Sequence, residues 1–250
     1  MEEYRVEASP QVLARIGGLL YLIIIVGGIF GEAFIRNRVI VSGDATATAA
    51  NIRSLESLWR FGIASEIFML TCTVALALIF YVLLRPVNRD LALLAVFFNL
   101  VSATLEAANE LRLLQALFPL GNAEYLKAFE PEQLYTMVSL SLRSYAFGFN
   151  VSLIFFGCEC LVLGYLIFGS GYLPRAIGVL MFIAGLSYLI NSYALILAPN
   201  FTRWVGYSLM APVLVGEASL CLWLLIKGVN IEKWRTLVGA QPTLNAVTTI

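Results

Sequence analysis

A chain of 250 residues with 60% hydrophobic and only 13% charged side chains is too apolar for a soluble domain, which carries roughly 25% charge. Its mean hydropathy is +0.85, and 16 basic residues balance 16 acidic ones, which gives no footing for nucleic acid or a strongly charged partner. Histidine is absent, so the commonest metal ligand and near-neutral proton shuttle is missing.

Six stretches are long enough to cross a hydrocarbon core about 30 Å thick. The first, near 12–35, follows an acidic start without a small-residue cleavage site and reads as a retained span. The connection "VSGDATATAANIRSLESLW" (41–59) reads as an amphipathic helix capped by Asp44, with Leu55, Leu58 and Trp59 on one side. Spans two and three, near 60–84 and 91–114, are joined by "RPVNRD" (85–90), a tight hairpin rich in helix breakers. A second long connection (120–144) holds a short helix after Asn122 and a helix opening at Pro131 that can run on into span four. Spans four, five and six lie near 145–168, 174–197 and 206–227, with "GSGYLPR" (169–175) as the second tight hairpin.

These elements predict an all-α integral membrane protein, a six-transmembrane-helix bundle with short cytoplasmic hairpins and two longer, partly helical extracytoplasmic loops. Residues 1–235 form one transmembrane domain and 236–250 a flexible tail. The 16 lysines and arginines divide evenly between the two sides. Their density in the short loops places hairpins and both termini in the cytoplasm.

Ionisable groups inside a span are costly and face a bundle interior or a wet cavity. From helical rise, Glu159 and Glu217 sit about 14 Å above the hairpin-side ends, close to the midplane, with Asn99 at similar depth. Glu66 and Glu106 come out at about 22–26 Å, with Asn109 and Asn191 level with them, and Glu110 and Glu32 above. Glu106, Asn109 and Glu110 share one face of span three, and Arg36, Arg60 and Arg112 are within reach of this outer layer. The expected site is an outward-opening polar pocket walled by spans one, two, three and five, with Glu159 and Glu217 at its floor. The competing reading is that these side chains only glue helices together, and for the outer layer it ranks first. For Glu159 and Glu217 it ranks second, because no basic residue in their own spans lies near them.

Familiar chemistry is missing. There is no nucleophile elbow, phosphate loop or metal motif, and no cofactor or metal site is expected. Cys72, Cys158, Cys160 and Cys221 lie in apolar runs and read as buried thiols.

The stretches "RIGGLLYLIIIVGGIFGEAFIR" (15–36), "GDATATAANI" (43–52), "FYVLLRPVNRDLALLAVFFNLV" (80–101), "LIFFGCECLVLGYLIFGSGYLPRAIGVL" (153–180) and "GEASLCLWLLIKGVN" (216–230) resemble a bacterial multi-pass membrane family, domain of unknown function 4386. That resemblance implies a shared fold and a bacterial plasma (inner) membrane location, and no established activity. Three functions are carried forward. The first is binding or transport of a small molecule, ion or lipid through a polar intramembrane cavity. The second is an intramembrane lipid-modifying enzyme using Glu159 and Glu217, ranked lower because no nucleophile or metal accompanies them. The third is a non-catalytic assembly or accessory protein. Membrane lipids are the expected partners, nucleic acid is not, and nothing indicates a homo-oligomer.

Overall fold

The computed structural model describes residues 9–240, with side chains described for all of these except 199–207 and 240. Among the described residues the secondary structure is helical, and six helices are long and apolar enough to span a membrane. Helix α1 (Pro10–Phe30) opens with proline at its first turn and passes through a π-helical turn, Gly31–Arg36, into the short α2 (Asn37–Val39). Helix α3 (Ala45–Ser54) starts where predicted, with the Asp44 carboxylate accepting the Ala47 N–H at 2.8 Å. Then come α4 (Glu56–Leu84), α5 (Arg89–Gln115), α6 (Pro131–Ser170), α7 (Arg175–Leu197), α8 (Pro199–Ile226) and a final α9 (Ile231–Ala240).

Local chemistry sets the ends of these helices. Asn88 caps α5 by accepting the Leu91 N–H at 3.0 Å, and Glu130 with Gln133 forms a reciprocal capping box ahead of Pro131. The second long connection holds 3-10 turns at Phe118–Leu120 and Glu124–Ala128. Helix α6 then runs unbroken for 40 residues, so the helix expected at Pro131 and span four are one rod. Helix α9 covers 236–240, the start of the expected tail, and 241–250 lie outside the described residues.

The six long helices form a closed ring in chain order, each packed on its two neighbours, with α8 returning to α1. Closure demands a close approach. A Cβ on Gly18 would sit 2.5 Å from the Leu225 backbone nitrogen, and the Cys221 thiol reaches the Gly18 carbonyl at 3.4 Å. Small residues serve the α6–α7 seam in the same way: a Cβ on Gly164 would meet the Gly178 carbonyl oxygen at 2.8 Å.

Two cores fill the ring. The larger runs from Ala14 and Tyr21 through Leu83, Leu166 and Met181 to Leu224. The smaller, at the end bearing the long connections, gathers Ile35, Val39, Ile52, Trp59 and Val138 beneath α3, where the Trp59 indole N–H donates to the Leu113 carbonyl at 3.0 Å. The hairpin end is clasped differently. The Tyr172 hydroxyl and the Trp234 indole N–H both donate to the Leu83 carbonyl, at 2.6 and 3.1 Å. Gln11 joins α1 to the segment before α9 by donating to Lys227 O and accepting from Val229 N. Burial pushes the Tyr172 phenol above its ordinary range, so it remains a donor. The large apolar side chains left exposed, such as Phe61, Leu78, Phe97 and Ile190, face the side that lipid occupies in a membrane bundle.

Candidate functional site

The mid-depth layer draws one side chain from nearly every helix of the ring. Glu159 of α6 is 3% exposed, and both its carboxylate oxygens accept from Asn99 Nδ2 of α5, at 3.1 and 2.9 Å. Asn99 is equally buried, and its own carbonyl oxygen has no donor. Glu217 of α8 accepts from the Tyr188 hydroxyl of α7 at 2.6 Å, and the Tyr21 phenol of α1 faces the same carboxylate. Aromatic edges brace both phenols: Tyr188 against Phe156 and Tyr21 against Phe80 of α4. Glu159 and Glu217 are close enough to feel one another's charge. Their described partners are thus an amide and two phenols, and no ion pair reaches either among the described residues.

The layer nearer the long connections is built around a cation. The π-helical turn ends at Arg36, whose Nη1 pairs with Glu66 Oε1 of α4 and whose Nε donates to Glu32 Oε2 at 2.6 Å. The Tyr145 hydroxyl of α6 accepts from Arg36 and donates to Glu66 Oε2, each at 3.2 Å, and the guanidinium lies over the Tyr145 ring. Gly31 opens the π turn directly against Glu66, since a Cβ there would lie 3.1 Å from Oε1. Beside this group stands Glu110 of α5, 1% exposed, with no amide, hydroxyl or cationic donor on either oxygen and the Glu66 carboxyl within hydrogen-bonding reach. Glu106, one turn along α5, is half-buried and within electrostatic range of Glu66 and Arg36. Two carboxylates therefore pair with one guanidinium, and two more lie within its electrostatic range.

The structure brings together most of the expected residues and redistributes some. Glu66, Glu106 and Glu110 gather as expected, and Glu159 pairs with Asn99. Asn109 turns aside to donate to the Tyr145 backbone carbonyl at 2.8 Å. Span four supplies the wall assigned to span five: Tyr145 lies on α6, while Asn191 of α7 donates to Asn150 at 3.2 Å instead of joining the acids. Of the three arginines expected in the outer layer only Arg36 enters it. Arg60 forms an exposed pair with Glu56, and Arg112 lines a surface groove. The tyrosines were missed by sequence reasoning, although a phenol inside a span needs a hydrogen-bond partner when buried, and that rule points to Tyr21, Tyr145 and Tyr188. The four cysteines are free.

The family described as "Domain of unknown function (DUF4386)" matches residues 16–228. The chain belongs to that family. The matched segment takes in both polar layers, five of the six spans whole and the first span from residue 16 onward. An uncharacterized protein of the archaeon Archaeoglobus fulgidus is 32% identical over 169 residues, covering 67% of this chain and 82% of the relative. No solved structure matches the chain.

Proposed function

We propose that this DUF4386 member is a transporter that exchanges protons for a monovalent cation through its two layers of buried carboxylates. The observation that carries the reading is Glu110, an acid 1% exposed that meets no amide, hydroxyl or cationic donor and whose hydrogen-bonding neighbour is another acid, Glu66. Glu159 and Glu217 repeat the theme deeper in, with neutral donors only. A membrane interior does not hold uncompensated negative charge cheaply, so a proton or small cation completes each layer. Among the described residues no three His, Cys, Asp or Glu side chains converge tightly enough to hold a metal ion, which favours protons or a cation shared with neutral oxygens. The proposal includes the cytoplasmic membrane as location, with hairpins and both termini inside, supported by the arginine density of the short loops.

The test is flux in vesicles of phosphatidylethanolamine and phosphatidylglycerol carrying the full chain and an entrapped pH dye. An imposed sodium or potassium gradient changes the internal pH for the native chain, and Glu110→Gln, Glu159→Gln and Glu217→Gln each abolish the change. A native chain with no cation-driven pH change, or Gln variants that match it, overturns the reading. Orientation is read separately by introducing Glu124→Cys in the exposed second connection. An impermeant maleimide labels it in intact cells if that connection faces outward, and only after permeabilisation if the topology is reversed.

A further inference from the structure

We infer that the groove between α5 and α6, at the end bearing the long connections, is a binding site for an anionic phospholipid whose phosphate is held by Arg112 and Arg143. The groove has a volume of about 620 Å³, and the exposed apolar side chains of Leu140, Phe147 and Val151 line it. Its two walls repeat one pattern. On α5, Arg112 stands above Leu105 on the same face, seven residues or about 10 Å along the helix. On α6, Arg143 stands above Phe147 and Val151 at successive helical turns, with Leu140 and Ser144 beside it. Antiparallel packing sets both arginine-headed stripes side by side with the cationic ends together.

Charge supplies the identity of the occupant. Arg112 and Arg143 are exposed, and neither makes an ion pair or side-chain hydrogen bond among the described residues. Two guanidiniums at the head of one groove repel unless an anion lies between them, and guanidinium geometry suits phosphate oxygens. The nearby acids of α5 do not compete, because Glu110 is buried in the ring and neither it nor Glu106 lines the groove. Apart from the arginines the lining is apolar except for Ser144 and Asn109, and the Asn109 amide is already committed to the Tyr145 carbonyl. An acyl chain fits that lining and a free phosphate gains nothing from it. The site is distinct from the carboxylate layers, so it stands or falls independently of the proposed ion function.

Native mass spectrometry of the full chain, released from detergent containing equal dioleoyl phosphatidylglycerol and dioleoyl phosphatidylcholine, tests the site. Each basic residue near a membrane surface favours an anionic lipid about fivefold, so the double variant R112Q/R143Q loses phosphatidylglycerol binding by about 25-fold. R112K/R143K retains most of it, and Phe147→Ser weakens retention without altering the charge. Equal retention of the two lipids by the native chain overturns the proposal, as does phosphatidylglycerol binding that survives R112Q/R143Q. Displacement of the lipid by inorganic phosphate overturns it too, since the site would then be one for the free anion.

Discussion

Toward the long connections Glu66 meets a guanidinium and a phenol, whereas at mid-depth Glu159 and Glu217 meet only an amide and phenols. One residue type thus has two fates within a single bundle. In the outer group charge is partly cancelled inside the protein, and the Arg36–Glu66–Tyr145 triangle ties α1, α4 and α6 together as a strut. In the mid-depth group no cation pairs with the acids among the described residues, which leaves them to whatever arrives. A buried carboxylate is therefore not by itself a functional signature; the sign of its partner decides which fate it has.

The sharpest way to break this comparison is to remove one half of the strut. Arg36→Met leaves Glu66 without its cation and should cost about 3–5 kcal/mol, the usual loss when one partner of a buried pair is deleted. Removing both partners as R36M/E66L should recover much of that, because no unpaired charge remains. Denaturant unfolding in detergent checks both. Equal losses for the single and double variants would show that the triangle is not the strut described.

At mid-depth the same experiment should give an inverted result. Glu159→Gln keeps shape and hydrogen-bonding capacity, so stability should change by no more than about 1 kcal/mol, while cation-driven flux disappears. If Glu159→Gln destabilises as much as Arg36→Met and leaves flux intact, the mid-depth acids are glue, as the Arg36–Glu66 pair is. Tyr188→Phe should fall between. It removes the 2.6 Å hydrogen bond to Glu217 and should cost about 1.5–3 kcal/mol if that carboxylate is charged, or about 1 kcal/mol if it is neutral. Its unfolding energy therefore reports which form the site holds at rest.

The contrast also marks what could be read from the amino acids alone. The spans, both hairpins, the Asp44 cap and the start at Pro131 were legible because apolar run length and helix-end chemistry are local. That Glu159 and Glu217 lie level with one another was legible because helical rise converts numbering into depth. Azimuth was not. Whether α6 or α7 turns its polar face toward Glu66 depends on ring order and on the π turn at Gly31–Arg36, which shifts the register of Arg36 by a fraction of a turn. Asn191 was thus given a place among the acids that Tyr145 occupies. Arg112 was placed within reach of the outer layer by its depth, yet it lies two positions from Glu110 and so on a different face of the helix, lining a surface groove.

Arg60 offers the smallest effect and the finest test of the same point. By depth alone it belongs to the outer layer, yet it faces out, pairing with Glu56 at 2.7 Å with more than half of its side chain exposed. An exposed pair of this kind gains little because water and salt screen it, so Arg60→Gln should change stability by less than about 0.5 kcal/mol. Any such change should fade with added salt, since surface pairs are screened within about 10 Å at 0.1 M ionic strength. The loss at Arg36 should persist under the same salt, because its guanidinium is enclosed by Glu66 and Tyr145. A salt-insensitive loss of 2 kcal/mol or more at Arg60, well above the range of about 0–1 kcal/mol for surface pairs, would mean that the polar layer extends across the outer face of α4. The carboxylates would then have a second cation within reach, and the excess of acid over base that supports ion binding would shrink accordingly.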